Sequence, residues 1–189
     1  VAEESSDELM ETFLEKGELT QEEIVKGLRH ATVQNRLYPV LCGSSLRNMG
    51  VQLMIDAVVA YLPSPLDVPP MTGINPETEK EEVRKPDDSE PTTAIAFKIA
   101  TDPFVGSLTF IRVYAGKLTA GSYVYNATSN GKERIGRLVK LHANHREEVK
   151  EICAGDIGAA IGLKDTKTGD TLCDEAHPIL LEQIHFAEP

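Results

Sequence analysis

Four groups of residues in this chain have the types and spacing to do chemistry. The first is Gly43-Ser44-Ser45-Leu46, in the stretch LCGSSLRNMGVQ. It lies between a short apolar run at 39–41 and an amphipathic segment that begins near residue 49. A strand, a tight Gly/Ser loop and a helix in that order present unpaired backbone N–H groups, which suit a ligand at the helix N-terminus. The second group is basic. Residues 132–150 hold Lys132, Arg134, Arg137, Lys140, Arg146 and Lys150 against Glu133, Glu147 and Glu148, a local net charge of +3. Such side chains on the rim of a fold suit phosphates, giving affinity and salt dependence but little sequence specificity. The third is the pair His142 and His145 with Glu147 and Glu148 close by, the outline of a metal site. The fourth is the set of three thiols, Cys42, Cys153 and Cys173.

Elementary geometry narrows these at once. On a strand, positions i and i+3 point to opposite faces, and in a turn nothing fixes their relation. The two histidines therefore read as hydrogen-bonded loop residues, and no metal is expected. The cysteines are odd in number and form no CxxC, which argues against zinc and against a disulfide framework. They read as small buried thiols. Asp156 and Asp170 each follow a glycine and read as turn aspartates that bond the backbone two residues on. No GxxxxGK[ST] run exists, so the loop at 43–46 has no phosphate cradle within this chain. No catalytic residue is assigned.

The elements that must position these groups fall into two kinds. Ser5 with Glu8, and Thr20 with Glu23, are capping boxes. Apolar residues then recur at helical spacing to about Glu15, and again through Ile24, Leu28 and Ala31. Residues 37–41 read as a short buried strand, and Val51, Met54, Ile55, Val58 and Leu62 as a third helix stopped by Pro63. Residues 64–91 are acidic and rich in proline, a fairly extended linker with room for a short hairpin. From Thr92 the period switches to two. Ile95, Phe97 and Ile99 alternate, and runs at 108–114, 123–125, 135–141, 157–163 and 179–186 complete about six strands. Asn130-Gly131 predicts a two-residue hairpin, since both residues tolerate positive φ. Short strands spaced by glycines predict a small closed or nearly closed antiparallel barrel.

Composition sets the outer bounds. The 189 residues are 41% hydrophobic with no tryptophan, so the core must be mostly aliphatic. No apolar run approaches the roughly 18 residues that a membrane span needs, and no signal peptide is evident at the N-terminus. The net charge of −11 is uneven. Residues 1–63 carry ten acidic and five basic side chains, residues 64–91 eight and three, and residues 92–189 twelve and eleven. The first half should repel nucleic acid, whereas the second is near neutral and can touch it locally. One strand with three helices cannot make a doubly wound sheet. Residues 1–63 therefore read as the last portion of a larger α/β domain, residues 64–91 as the linker, and residues 92–189 as a whole barrel.

Long segments then resemble a known family. CGSSLRNMGVQLMIDAVVAYLPSPLDVPP is similar to the end of the GTPase domain of bacterial elongation factor G, a translational GTPase. AFKIATDPFVGSLTFIRVYAGKLTAGSYVYN and RIGRLVKLHANHREEVKEICAGDIGAAIGLKDTKTGDTLC resemble its second domain. The resemblance covers essentially the whole chain. It implies an α/β fragment, the C-terminal part of a P-loop GTPase domain with part of its inserted subdomain, followed by an all-β barrel of the domain II type.

The resemblance also implies roles. Ser44, Ser45 and Leu46 match the family's last guanine-recognition motif, with Ser45 where alanine is usual. The Ser45 N–H would meet the base carbonyl, the Ser44 hydroxyl would brace the loop, and Leu46 would pack beneath it. The Asp-x-x-Gly segment for magnesium and the Asn-Lys-x-Asp segment for guanine are absent. This piece is therefore expected not to be an enzyme and not to hold GTP, GDP or magnesium tightly, although the parent would hydrolyse GTP to drive translocation of transfer RNA and messenger RNA. Lys132, Arg134, Arg137, Lys140, His145 and Arg146 are the expected contacts to small-subunit ribosomal RNA. The acidic helix with Glu3, Glu4, Asp7, Glu8 and Glu11 aligns with the part of the family associated with the ribosomal stalk protein. The FAEP run at 186–189 resembles the link to the next domain. A cytoplasmic monomer that leaves membranes alone is expected. The homologous region of a ribosomal protection protein, or of another translational GTPase, is the alternative.

Overall fold

The computed structural model describes residues 1–102, 106–143 and 145–182. They form two compact units, Val1–Val68 and Pro69–Pro189.

The first unit is helical. Helices α1 (Ala2–Ser5), α2 (Asp7–Lys16), α3 (Gln21–Val33) and α4 (Val51–Tyr61) are joined by loops, one of which contains a 3-10 turn at Ser45–Arg47. Ser6, not Ser5, caps α2, its hydroxyl accepting from the Leu9 N–H at 3.3 Å. The predicted box fails because Ser5 belongs to α1, where its hydroxyl is buried without a partner. Gly17, at φ 77°, ends α2 in the left-handed conformation glycine tolerates best. The Thr20–Glu23 box is complete: the Thr20 N–H donates to the Glu23 carboxylate at 2.8 Å and the Glu23 N–H to the Thr20 hydroxyl at 3.3 Å. Gly27 lets α3 approach α1, since a Cβ there would lie 2.8 Å from a Val1 methyl. Arg29 ties α3 to the end of α4 through the Ala60 carbonyl at 2.9 Å and Asp67 at 2.7 Å.

The strand predicted at 37–41 does not form. Tyr38 is 76% and Val40 93% exposed. An extended segment needs a neighbour to satisfy its N–H and C=O groups, and among the described residues no strand lies beside it. The α/β layering expected of residues 1–63 is accordingly not visible; the unit is helices and loops.

The second unit is β. Its strands are β1 (Met71–Ile74), β2 (Glu81–Arg84), β3 (Thr93–Asp102), β4 (Gly106–Ala115), β5 (Leu118–Thr119), β6 (Tyr123–Asn126), β7 (Gly131–Arg134), β8 (Arg137–His142), β9 (His145–Val149), β10 (Glu151–Ile152), β11 (Ile157–Ile161) and β12 (Thr171–Cys173). Eight of them form one antiparallel sheet in the order β7-β6-β12-β3-β4-β11-β8-β9, and β5 pairs with β10. Alternation places Ala94, Ile111, Val113, Val124, Leu138, Ala160 and Leu172 on the inner face, where Leu118, Ile135 and Ile152 join them in one buried cluster. Between β7 and β8 the N–H groups of Ile135 and Gly136 bond Ser122 and Ile161 carbonyls, drawing the two ends of the sheet together.

Three sequence expectations change here. Residues 64–91 are not a plain linker. β1 and β2 form a hairpin on the outer face of the sheet, where Met71 packs with Ile95, Cys173, Ile179 and Leu181. Ile74 and Leu180 exchange backbone hydrogen bonds at 2.9 and 2.8 Å. Further along, the Asp88 carboxylate accepts from the Ala154 N–H at 2.9 Å. The Asn130-Gly131 turn is longer than predicted. Residues 127–130 form the loop, Asn130 alone takes positive φ (57°), and Gly131 starts β7. The Asn126 side chain accounts for this, because its oxygen accepts from the N–H groups of Thr128 and Ser129. Finally, the strand predicted at 179–186 is reduced to the Ile74–Leu180 bridge in the described residues. Positions 183–189, including FAEP, and 103–105 lie outside those residues.

Candidate functional site

The Gly-Ser loop is built by its backbone. The N–H groups of Ser44 and Met49 donate to each other's carbonyls at 3.0 Å, closing a ring around the 3-10 turn. Asn48 (φ 52°) and Gly50 (φ 75°) reverse the chain inside and after it. Gly43 is required by contact, since a Cβ there would sit 2.8 Å from the Met49 carbonyl oxygen. Ser45 opens the turn, so its N–H has no intrahelical acceptor. A pocket of about 310 Å³ lies against Cys42, Gly43, Ser44, Ser45, Val51 and Met54, and no charged side chain lines it. It offers a polar ligand backbone N–H groups and an apolar wall, with nothing to neutralise a phosphate.

Three expected details are overturned. The Ser44 hydroxyl makes no capping bond; the Ser44–Met49 backbone pair braces the loop instead. Leu46 does not pack beneath the loop but is 97% exposed. Cys42, expected to be buried, is also exposed.

The basic residues do not form one patch. On the β8–β9 ribbon the Cα partners are Leu138 with Val149, Val139 with Glu148, Lys140 with Glu147, Leu141 with Arg146, and His142 with His145. Alternation puts Lys140 and His145 on the face of Leu138, and Arg137 and Arg146 on the opposite face. Several of the cations are already engaged. Lys140 reaches the Asp156 carboxylate at 2.8 Å, and this bond raises the lysine's pKa above its ordinary value. Arg137 lies 3.8 Å from Glu148. Lys132 pairs with Glu175 and sits over the Tyr123 ring. Arg134, exposed on the outer face of β7, has no partner among the described residues.

The histidine geometry also differs from expectation. His142 and His145 are directly paired across the hairpin rather than on opposite faces, and His142 lies 3.6 Å from Glu147. Among the described residues no three His, Cys, Asp or Glu side chains gather into a metal-binding group.

What sequence reasoning missed is the polar network at the β6–β7 end. Glu133 was counted as a countercharge to the basic run, but its side chain points inward, opposite Val124. It accepts from the Lys164 N–H at 2.6 Å, the Asp165 N–H at 3.0 Å and the Thr166 hydroxyl. Burial pushes the Glu133 carboxyl up, and these donors together outweigh it and hold the group below the usual carboxylate range. Asp170, read as a turn aspartate, is buried and accepts from Asn126 and from the Lys167 N–H, both at 2.8 Å. Asp156 serves Lys140 rather than its own turn. The one signal in the sequence was the alternation at Val124 and Glu133, which becomes readable only when the register of β6 and β7 is known. Burial raises the pKa of Cys153 and of Cys173, so both thiols are poor nucleophiles.

Comparison with known proteins bears mainly on the second unit. The family model described as elongation factor Tu domain 2 matches residues 106–173, which run from β4 to β12. Among solved structures, a crystal structure of a protein from Thermus thermophilus is similar, with a TM-score of 0.66 and 26% sequence identity. The similarity covers 92% of this chain and 23% of that one. The eight-stranded sheet is thus of the domain 2 type found in translation factors. The chain spans 23% of the length of the solved protein it matches.

Proposed function

We infer that the chain is part of a translational GTPase of the elongation factor G type, in which the β unit docks on the small ribosomal subunit. The observation that carries this reading is the match of residues 106–173 to elongation factor Tu domain 2. The longer resemblance, through the Gly-Ser loop, favours elongation factor G and assigns residues 1–63 to the end of its GTPase domain. In the parent, GTP hydrolysis with magnesium would drive translocation, and the β unit would relay the nucleotide state to the ribosome-facing parts.

This portion acts as a docking and coupling module rather than as an enzyme. The pocket beside Ser44 and Ser45 offers backbone N–H groups and an apolar wall, which suits one edge of a base, and no charged side chain for phosphates. The exposed carboxylates of Glu3, Glu4, Asp7, Glu8 and Glu11 offer a face for the basic part of a stalk protein. The working compartment is the cytoplasm and the working state a monomer; no described helix is long and apolar enough to cross a membrane.

Two measurements test the reading. The 189-residue chain should co-sediment with small ribosomal subunits at low salt and release as salt rises. Calorimetry with GDP and magnesium should show a Kd weaker than about 10 μM, roughly −7 kcal/mol. Tight GDP binding, or no co-sedimentation at low salt, would overturn it.

A further inference from the structure

We propose that the phosphate-contacting rim of the β unit is formed by Arg134 together with Lys164 and Lys167, and that the buried Glu133 carboxylate is the positioning residue that sets it. The proposal rests on the ribosome-docking reading above and names the residues that would carry it. It follows from which cations are free and which are held.

Lys132, Arg137 and Lys140 are engaged by Glu175, Glu148 and Asp156. Lys164 and Lys167 are exposed, as Arg134 is, and no side-chain partner holds them among the described residues. The backbone ties together the two segments that carry them, β7 and the loop after β11. Arg134 follows Glu133 on β7 and points outward where Glu133 points inward. Glu133 grips the loop through Lys164, Asp165 and Thr166. Gly162, at the base of that loop, lies close to Gly136 and to the Arg134 carbonyl: its Cβ would be 3.2 Å from the Gly136 N and 3.8 Å from the Arg134 oxygen. Asp170 fixes the other end of the loop by accepting from the Lys167 N–H at 2.8 Å.

The charges at this rim favour an RNA backbone. Among the exposed side chains three cations stand beside one carboxylate, Asp165, while the Glu133 and Asp170 carboxylates are buried and turned to donors within the fold, away from an approaching phosphate. A loop fastened at both ends presents its two lysines at a set spacing, so less side-chain and backbone freedom is lost when phosphates bind. Lys164 and Lys167 stand outside the basic run at 132–150, so clustering along the sequence could not find them.

Co-sedimentation of the 189-residue chain with small ribosomal subunits, titrated with salt, decides the matter. Lys164→Ala with Lys167→Ala should weaken binding about tenfold and flatten the dependence of log K on log salt by about 1.5, near 0.7 to 0.9 for each phosphate no longer neutralised. Lys80→Ala with Lys85→Ala removes the same charge from elsewhere on the unit and should weaken binding less than about threefold. Glu133→Gln separates positioning from charge. It removes a negative charge, so charge alone would tighten binding; if Glu133 positions the loop, binding weakens while the thermal melt shows a folded protein. Equal effects of the two lysine pairs, or tighter binding by Glu133→Gln, would overturn the rim. A wild-type chain that does not sediment at all would instead overturn the docking reading beneath it. Salt-independent sedimentation would point to a protein contact and also overturn the rim.

Discussion

The two units spend their apolar residues in opposite ways. In the β unit, Ile111, Leu138, Ile152 and Leu172 are fully buried, and alternation along each strand carries the exposed positions to the other face. In the helical unit, Ala31 is the buried hydrophobic residue, while Leu53 is 69%, Ile55 53%, Val59 77% and Leu66 80% exposed. Hydrophobic content alone does not make a core. A sheet curled on itself shields one of its own faces, whereas a few helices with little to pack on cannot cover their apolar stripes. Stability should therefore be concentrated in residues 69–182, and mutations of like chemistry should read very differently in the two units.

The sharpest way to break that contrast is a pair of truncations. Leu138→Ala should lower the stability of the β unit by about 2 to 5 kcal/mol, the usual cost of emptying a leucine site in a packed core. Leu53→Ala on α4 should change stability by less than about 0.5 kcal/mol, as surface substitutions do. Denaturant unfolding followed for each unit separately would measure both; comparable losses would mean that the helical unit has a core after all.

Acid should act next most strongly, and again on the β unit. The folded pKa of Glu133 is depressed, so its contribution is complete above the ordinary carboxylate pKa, about 4.3, and fades as pH falls through the lower folded value. Melting temperature measured from pH 6 downward should drop more steeply for the wild type than for Glu133→Gln. Parallel curves would remove Glu133 from the account. The smallest effect belongs to the helical unit's best-made joint. Thr20→Ala should cost α3 about 1 kcal/mol, read as faster amide exchange in α3 with no change in β-unit protection.

The sequence made the second unit legible because each cue there is local and consistent. Ile95, Phe97 and the run from Leu108 to Tyr114 alternate; the sheet buries Ile111 and Val113 in its inner cluster and sends Ile95 and Phe97 to the outer one, leaving Ala94 and Ala96 inside. What it hid was register. The pairing of His142 with His145, the split of Arg137 from Lys140, and the inward turn of Glu133 all depend on which residue opposes which. In the first unit the Thr20–Glu23 box forms because Thr20 stands free of any preceding helix, whereas Ser5, at the same spacing from Glu8, lies inside α1. The strand at 37–41 failed for the converse reason: its apolar composition describes a place in a sheet, and neighbouring strands are required to realise it. The buried seat expected for Leu46 failed the same way.

The hairpin from Met71 to Arg84 carries a practical consequence for anyone dividing this molecule. Its Ile74 amide and carbonyl are the partners of Leu180, and a Cβ on Gly73 would stand 2.7 Å from an Ile179 carbon, so the hairpin is seated against the closing segment of the β unit. A cut at Thr92, where the alternation begins, would strip that cover from Ile179 and leave the Leu180 backbone to water. An expressible β unit therefore starts near Pro69, and its first strands are the lid of a box whose other walls are encoded far downstream.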